Sequence, residues 1–261
     1  MNQPKPAAAM RTAMRRRERA LAGCDPVMAR LIAAAGPCTL DARLERTPFE
    51  SLASSIAHQQ LNGAVARRIL DRFVALYAPA EFPQPTQLLA TDEAALRAVG
   101  FSFAKVRALR DLAEKTQSGV VPESAELVEL GDLHIIERLT QVRGIGPWTV
   151  QMMLMFQLGR PDVLPIDDYG VRNGFRLAYG LKGLPTPRAL AEFGARWRPH
   201  CSMAAWYLWR AVDLARDGKL PKAGCAPRVA IQKQRVTAKP KKKKKKARPP
   251  AGRRRSGSKA R

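Results

Sequence analysis

The chain has 261 residues, 46% of them hydrophobic, and a formal net charge of +24; that length suffices for one large domain or two small ones with a substantial core. No stretch has the length of a membrane span and the N-terminus lacks the continuous apolar segment of a secretory signal, so neither route is expected. Residues 1–20 hold six Lys/Arg and one acid, and residues 219–261 hold 18 Lys/Arg and no acid, which leaves +1 for residues 21–218: a near-neutral body with basic ends suited to a polyanion.

Residues 1–20 read as a disordered basic arm, in preference to the transit peptide that an Arg-rich, acid-poor start also allows. Helical pattern begins near Ala20. Thr47-Pro48-Phe49-Glu50 supplies a cap, a proline at the first helical position and an acid two residues on, and Phe49, Leu52, Ala53 and Ile56 then share a face. The helix meets His58-Gln59-Gln60-Leu61-Asn62-Gly63, where Asn-Gly breaks the pattern. A second helix is expected to turn Val65, Ile69, Phe73 and Leu76 inward. After a proline-bearing connection over 78–85, Thr91 is expected to cap a short helix ended by Gly100. Ser102 caps the next, which carries Val106, Leu109 and Ala113 and stops at Gly119. A short piece spans 122–130. Asp132 can cap a helix with Leu133, Ile136 and Leu139 on its inner face.

Next comes Val142-Arg143-Gly144-Ile145-Gly146-Pro147-Trp148-Thr149. The glycines permit a tight bend and close approach to another surface, and Pro147 suits the first turn of a following helix. The amides of Gly144, Gly146 and Trp148 stand free at a helix start, where a phosphate binds well. The helix from Trp148 to Leu158 is apolar nearly all round and is expected to be the buried centre. Twenty residues after Trp148, Leu164-Pro165-Ile166-Asp167-Asp168-Tyr169-Gly170-Val171 opens another helix, which ends at Gly180. Thr186-Pro187 starts one more, and the last runs from about Pro199 to Asp217 with Trp206 and Trp209. No alternating run demands a strand. The fold class is all-α: two helical lobes over residues 21–218, the hairpin and Asp168 in the central one and the chain's ends meeting in the other. From Pro221 onward, with Lys241 to Lys246 unbroken, the composition is that of a disordered tail.

The hairpin followed at this distance by P-I-D-D-Y-G-V resembles the helix–hairpin–helix DNA glycosylases, and within them the 3-methyladenine DNA glycosylase II branch. The resemblance covers roughly residues 48–217. It implies that Asp168 stabilises the cationic sugar and directs water, as a carboxylate does in glycoside hydrolysis; Asp167 supports the turn. Taken alone, Asp168 is an ordinary helix N-cap, and the two roles are compatible. Trp148 stands where bifunctional relatives place a nucleophilic lysine, so hydrolysis without lyase chemistry is implied. Trp148 and Trp209 match pocket aromatics for a flipped, cationic base, and a cation over an indole gains about 0.5–2 kcal/mol. Met152 replaces a tyrosine expected in that pocket. Either indole could equally be core, and Trp206 is assigned to it. Gln60 and Leu61 are the wedge candidates for the gap left by the extruded base; the alternative is that Leu61 is core and Gln60 caps a helix. Gly144, Gly146 and Thr149 are the implied DNA-backbone contacts. The carbonyls of Thr140, Val142 and Ile145 match the positions that hold an optional monovalent cation in the family.

Cys24, Cys38, Cys201 and Cys225 form no Cys-x-x-Cys pair and do not cluster, so the iron–sulfur cluster of some relatives is not expected, nor are disulfides; a reduced, cytoplasmic, nucleoid-associated setting follows. His58, His134 and His200 lack metal-ligand spacing. The function expected is excision of alkylated purines from double-stranded DNA by a monomeric, cofactor-free enzyme with no membrane partner. The alternatives are a glycosylase for deaminated or oxidised bases, which Met152 keeps open, and a non-enzymatic, structure-specific DNA-binding protein.

Overall fold

The computed structural model describes residues 8–42, 46–223 and 228–231, and all its regular elements are helices. In order they are α1 (Ala8–Cys24), α2 (Pro26–Ala35), α3 (Pro48–His58), α4 (Gly63–Ala75), α5 (Pro85–Ala90), α6 (Glu93–Ala98), α7 (Phe103–Gln117), α8 (Ser124–Glu129), α9 (Asp132–Leu139), α10 (Pro147–Phe156), α11 (Tyr169–Ala178), α12 (Pro187–Gly194) and α13 (Cys201–Arg216), with a 3-10 turn at Ala195–Trp197 before the last. Helix α13 packs on α11 and α2, and α1 lies on α2, so the chain's first and last helices build one side of the molecule. Helices α3 to α7 pack together on the other, and α9 and α10 form the hairpin. Asp168 therefore belongs to the helix that packs on α13, on the terminal side, rather than to a lobe shared with the hairpin; it meets the hairpin across the junction.

The expectation of an unstructured arm over residues 1–20 is corrected for residues 8–20, which lie in α1; residues 1–7 lie outside the described residues. The arginines that made the segment look solvated occupy its outer face, while Glu18 and Leu21 point inward. Glu18 Oε1 accepts the Cys38 amide at 2.7 Å and the Tyr207 hydroxyl at 2.8 Å, joining α1 to α13. Asp25 caps α2 through Oδ1, which accepts the Val27 amide at 2.9 Å. Its Oδ2 accepts the Tyr179 hydroxyl at 2.6 Å and the Trp197 indole N–H at 2.9 Å. A buried carboxylate persists only with such partners. Burial and the neighbouring carboxylates push the Tyr179 and Tyr207 hydroxyls well above the usual tyrosine range, so both stay protonated donors.

Side-chain caps account for several helix starts: Thr47 accepts the Glu50 amide, Asn62 the Val65 amide, Ser102 the Lys105 amide and Thr186 the Ala189 amide,. Three expected details are corrected. Thr91 ends α5, and Asp92 is the residue that precedes α6. Gly131 is at the N-cap of α9, while Asp132 sits in its first turn and pairs with Arg160 at 3.3 Å. On short amphipathic helices the face is shifted: Leu133 is 83% exposed, and Ile135 and Leu139 are the buried residues of α9. Val65 of α4 and Leu76 just after it are likewise exposed, and Ala66, Ile69 and Phe73 are buried. Helix α11 crosses α13 at Gly174, where a Cβ would come 1.9 Å from the Leu208 carbonyl oxygen, so only glycine permits this approach. Disorder from Pro221 onward is corrected at residues 228–231: the Thr186 amide donates to the Ala230 carbonyl at 2.8 Å, and Ile231 bridges to Pro185. Lys241 to Lys246 and Cys225 lie outside the described residues; Cys24, Cys38 and Cys201 are free thiols.

Candidate active site and DNA-binding surface

The hairpin begins where Thr140 caps α9 and ends where Gly146 precedes α10, with Pro147 in the first turn. Gly144 adopts φ +79°, a left-handed conformation that favours glycine,. Val142 and Ile145 are buried and anchor the bend from below, and the Ile145 amide donates to the Val142 carbonyl at 3.0 Å. Helix α7 supports it from the side. Lys115 Nζ donates to the Gln141 carbonyl at 2.6 Å, Asp111 Oδ2 accepts the Arg143 amide at 2.6 Å, and the Ala108 methyl lies 3.6 Å from where a Cβ on Gly144 would be. Burial disfavours the Asp111 carboxylate, but the Arg143 amide and the Lys115 ammonium outweigh it and hold its pKa below the ordinary value,.

The same helix reaches the turn between α3 and α4. Lys105 Nζ donates to the Ala57 carbonyl at 2.7 Å, near the C-terminal end of α3,. Gln60 adopts φ +58°, the only positive φ among described non-glycine residues, and Gln60 and Leu61 are both exposed at the tip. Leu61 is therefore not a core residue. Gln59 Nε2 donates to the Gly144 carbonyl at 2.8 Å. The wedge candidates and the hairpin are thus held in one register by a side-chain bond and by a shared supporting helix.

Asp168 is the N-cap of α11. Its Oδ1 accepts the Val171 amide at 2.7 Å and the Trp209 indole N–H at 2.9 Å, and its Oδ2 accepts the Trp148 indole N–H at 2.8 Å. Trp148 starts α10 at the hairpin, so one carboxylate joins the hairpin helix to α13. The two tryptophans, expected to stack on a base, here direct their N–H edges at the carboxylate. Trp209 also stacks on Phe156, with centroids 5.8 Å apart and planes 24° from parallel. Trp148 and Phe156 are exposed, which corrects the expectation of a wholly buried α10; Thr149, Val150, Met153, Leu154 and Met155 are its buried residues. Thr149, expected to touch DNA, is buried. Met152 and Phe156 line a groove of about 430 Å3 between α3 and α10. Asp168, Trp148 and Trp209 do not line it; Phe156 connects the two.

Phe156, Gln59 and Gly170 were not singled out from the sequence. Phe156 carries a usable signal, since Trp148, Met152 and Phe156 recur every four residues along one helix. Gly170 matters because a Cβ there would lie 2.8 Å from Trp209 Cδ1.

Residues 53–199 match the HhH-GPD superfamily of base excision DNA repair proteins. The chain belongs to that family. DNA-3-methyladenine glycosylase 1 of Schizosaccharomyces pombe is 38% identical over 205 residues, 78% of this chain and 90% of its own length. The alkylbase DNA glycosidase-like protein mag2 of the same organism is 31% identical over 78% of this chain and 97% of its length. Among solved structures, the S. pombe 3-methyladenine DNA glycosylase Mag1 in complex with abasic DNA superposes with a TM-score of 0.69 at 37% identity, covering 77% of this chain and 98% of that one. A DNA-3-methyladenine glycosidase from Bacillus halodurans gives 0.70 at 32% identity, covering 77% and 91%.

Proposed function

We propose that this chain is a DNA glycosylase that excises alkylated purines by hydrolysis and leaves an abasic site. The observation that carries the reading is the Asp168 carboxylate, oriented by three N–H donors at the junction of the hairpin helix and α13. Cleaving the N-glycosidic bond leaves positive charge on the deoxyribose, and a fixed carboxylate stabilises it. The same oxygens can orient or deprotonate the attacking water. Bases methylated at adenine N3 or guanine N7 are already cationic and leave readily, so the site needs no strong acid for the leaving group. The names of the two S. pombe relatives and the abasic DNA bound to one of them support this substrate class.

Trp148 in place of a lysine supports a monofunctional reaction, because no amine is available there to form a Schiff base. The Gly144 and Gly146 amides of the bend are suited to a backbone phosphate on the strand being repaired. Thr140, Val142 and Ile145 are the carbonyls that would hold a monovalent cation, which would add positive charge beside that phosphate.

The test is base release from duplexes carrying methylated purines. Wild-type protein should release base, with no borohydride-trapped adduct, and Asp168→Asn should bind DNA without releasing it. Equal release by both proteins removes Asp168 from the mechanism. Binding with no release from any damaged duplex favours a DNA-binding protein without catalysis.

A further inference from the structure

On the terminal side of the molecule, guanidinium groups face solvent without a counterion. Arg16, Arg17 and Arg19 of α1 are exposed and make no hydrogen bond or ion pair to an acid among the described residues. Arg196 is exposed on the 3-10 turn that lies against α1. Its guanidinium sits 3.7 Å over the Phe193 ring and its Nε donates to the Phe193 carbonyl at 3.1 Å. Both contacts order the side chain and leave its charge in place.

The acids on the elements beside α1 do not relieve these charges. Glu18 and Asp25 are buried and committed to hydrogen bonds. Asp162 faces Arg198 at 3.2 Å and Glu192 takes Arg188 at 2.8 Å. Asp41 is exposed and forms no ion pair among the described residues. Burial, together with the charges of Arg17 and Arg16, holds the His200 imidazole below its ordinary pKa, and Asp162 only partly offsets them,. Four forked cations with free donors match a row of phosphates.

This face looks away from the candidate site. Tyr207 and Trp209 are two residues apart on α13, about 200° around its axis. Tyr207 bonds Glu18 of α1, and Trp209 bonds Asp168. Helix α13 therefore stands between α1 and the carboxylate. Arg16 is likewise two residues from Glu18, so it points outward from α1, further from Asp168. Two helix layers at about 8–10 Å each place the arginines roughly 20 Å beyond the site.

We propose that Arg16, Arg17, Arg19 and Arg196 bind the backbone of a second DNA duplex while the hairpin side holds the first. One molecule can then pass from duplex to duplex without entering free solution. The contact is to phosphates and reads no sequence. It rests on the hairpin side being a DNA-binding surface, and it does not depend on catalysis.

The experiment uses the full chain bound to a fluorescent duplex carrying an abasic-site analogue. Loss of that duplex is followed after mixing with unlabelled duplex at rising concentration. A protein with one DNA-binding face must release the first duplex before taking the second, so its rate is flat. The wild-type rate should instead climb, by roughly 10-fold at about 100 µM competitor, where non-specific sites fill. Changing Arg16, Arg17 and Arg19 together to Gln should flatten the climb, and changing all three to Lys should keep most of it. If the Gln variant fails to fold, Arg196→Gln decides: the salt slope of the transfer should fall by about 0.9, one phosphate contact. A flat rate in wild type overturns the proposal. So does a climb that persists in the Gln variant, because the charge responsible then lies elsewhere, as in residues 232–261, present in both proteins. Binding of anionic phospholipid vesicles by this face, with no climb on duplex DNA, would assign it to a membrane and overturn it too. Failure of wild type to bind the first duplex is a separate result, and it overturns the hairpin reading underneath.

Discussion

Gly170 and Trp209 meet with no room for a side chain between them: a Cβ on the glycine would lie 2.8 Å from Cδ1 and 2.9 Å from Nε1 of the indole. The contact seats the ring so that its N–H reaches Asp168. Gly170→Ala should displace the indole from the carboxylate and lower single-turnover base release by about 100-fold, the scale of a 1 Å misplacement. The accompanying loss of stability should be about 1–3 kcal/mol, as for other overpacked contacts. Rapid-quench kinetics and thermal unfolding separate the two, and an unchanged rate would show that the Trp209–Asp168 bond has no part in the chemistry.

Asp168 caps a helix, and the proposed reaction gives it a second role; the two come apart in one substitution. Asparagine caps a helix about as well as aspartate, so Asp168→Asn should change the melting temperature little. Without the negative charge, base release should fall by about 100-fold or more. A large drop in melting temperature with a matching drop in rate would point to a structural role alone.

Gln59 ties the Gln60–Leu61 turn to the hairpin through the Gly144 carbonyl. Gln59→Glu keeps the shape and loses the donor. Release from a fully paired duplex should slow by roughly 10-fold if this turn is the wedge, because it is no longer held against the stack. The deficit should shrink when the lesion faces an abasic position, where extrusion is easier. Equal slowing on both substrates would place the defect elsewhere.

The Asp111 carboxylate gives the hairpin a pH dependence with a definite sign. Its pKa is lowered in the folded chain, so its contribution is fully present above the ordinary carboxylate value of about 4 and is lost as pH falls through the lowered value. Asp111→Asn should melt below wild type at neutral pH, and the gap should close under acid conditions. A gap that stays constant from pH 7 to pH 3 (roughly spanning the ordinary carboxylate value) would exclude the charge as its cause.

Residues 232–261 carry 15 Lys/Arg and no acid. Deleting them should flatten the dependence of DNA affinity on salt, since each phosphate contact contributes a slope of about 0.9, while the saturated rate of base release stays the same. A large fall in that rate would make the segment part of the catalytic body.

The hairpin, Asp168 and the two tryptophans were legible in the sequence because they lie in one short stretch, or carry residue types too distinctive to miss. The helix before Ala20 was not legible, since its inward-facing positions are few, Met14 and Glu18 ahead of Leu21, among exposed arginines. The buried face of α9 was misread because eight residues make barely two turns, and Leu133 and Ile135 are equally apolar. The Gln59–Gly144 bond spans 85 positions, and no local pattern marks residues that meet only through the fold. Nothing local marks Gly174, whose glycine is required only because the Leu208 carbonyl packs against it.

The bonds from Glu18 to Cys38 and Tyr207 set where the protein can be shortened. A recombinant version begun at residue 21, where the near-neutral stretch starts, would strip the acceptor from an inner amide and an inner phenol at once, and with it the seat of the final helix. Since that helix presents Trp209 to Asp168, trimming a stretch remote from the hairpin would loosen the Asp168 carboxylate.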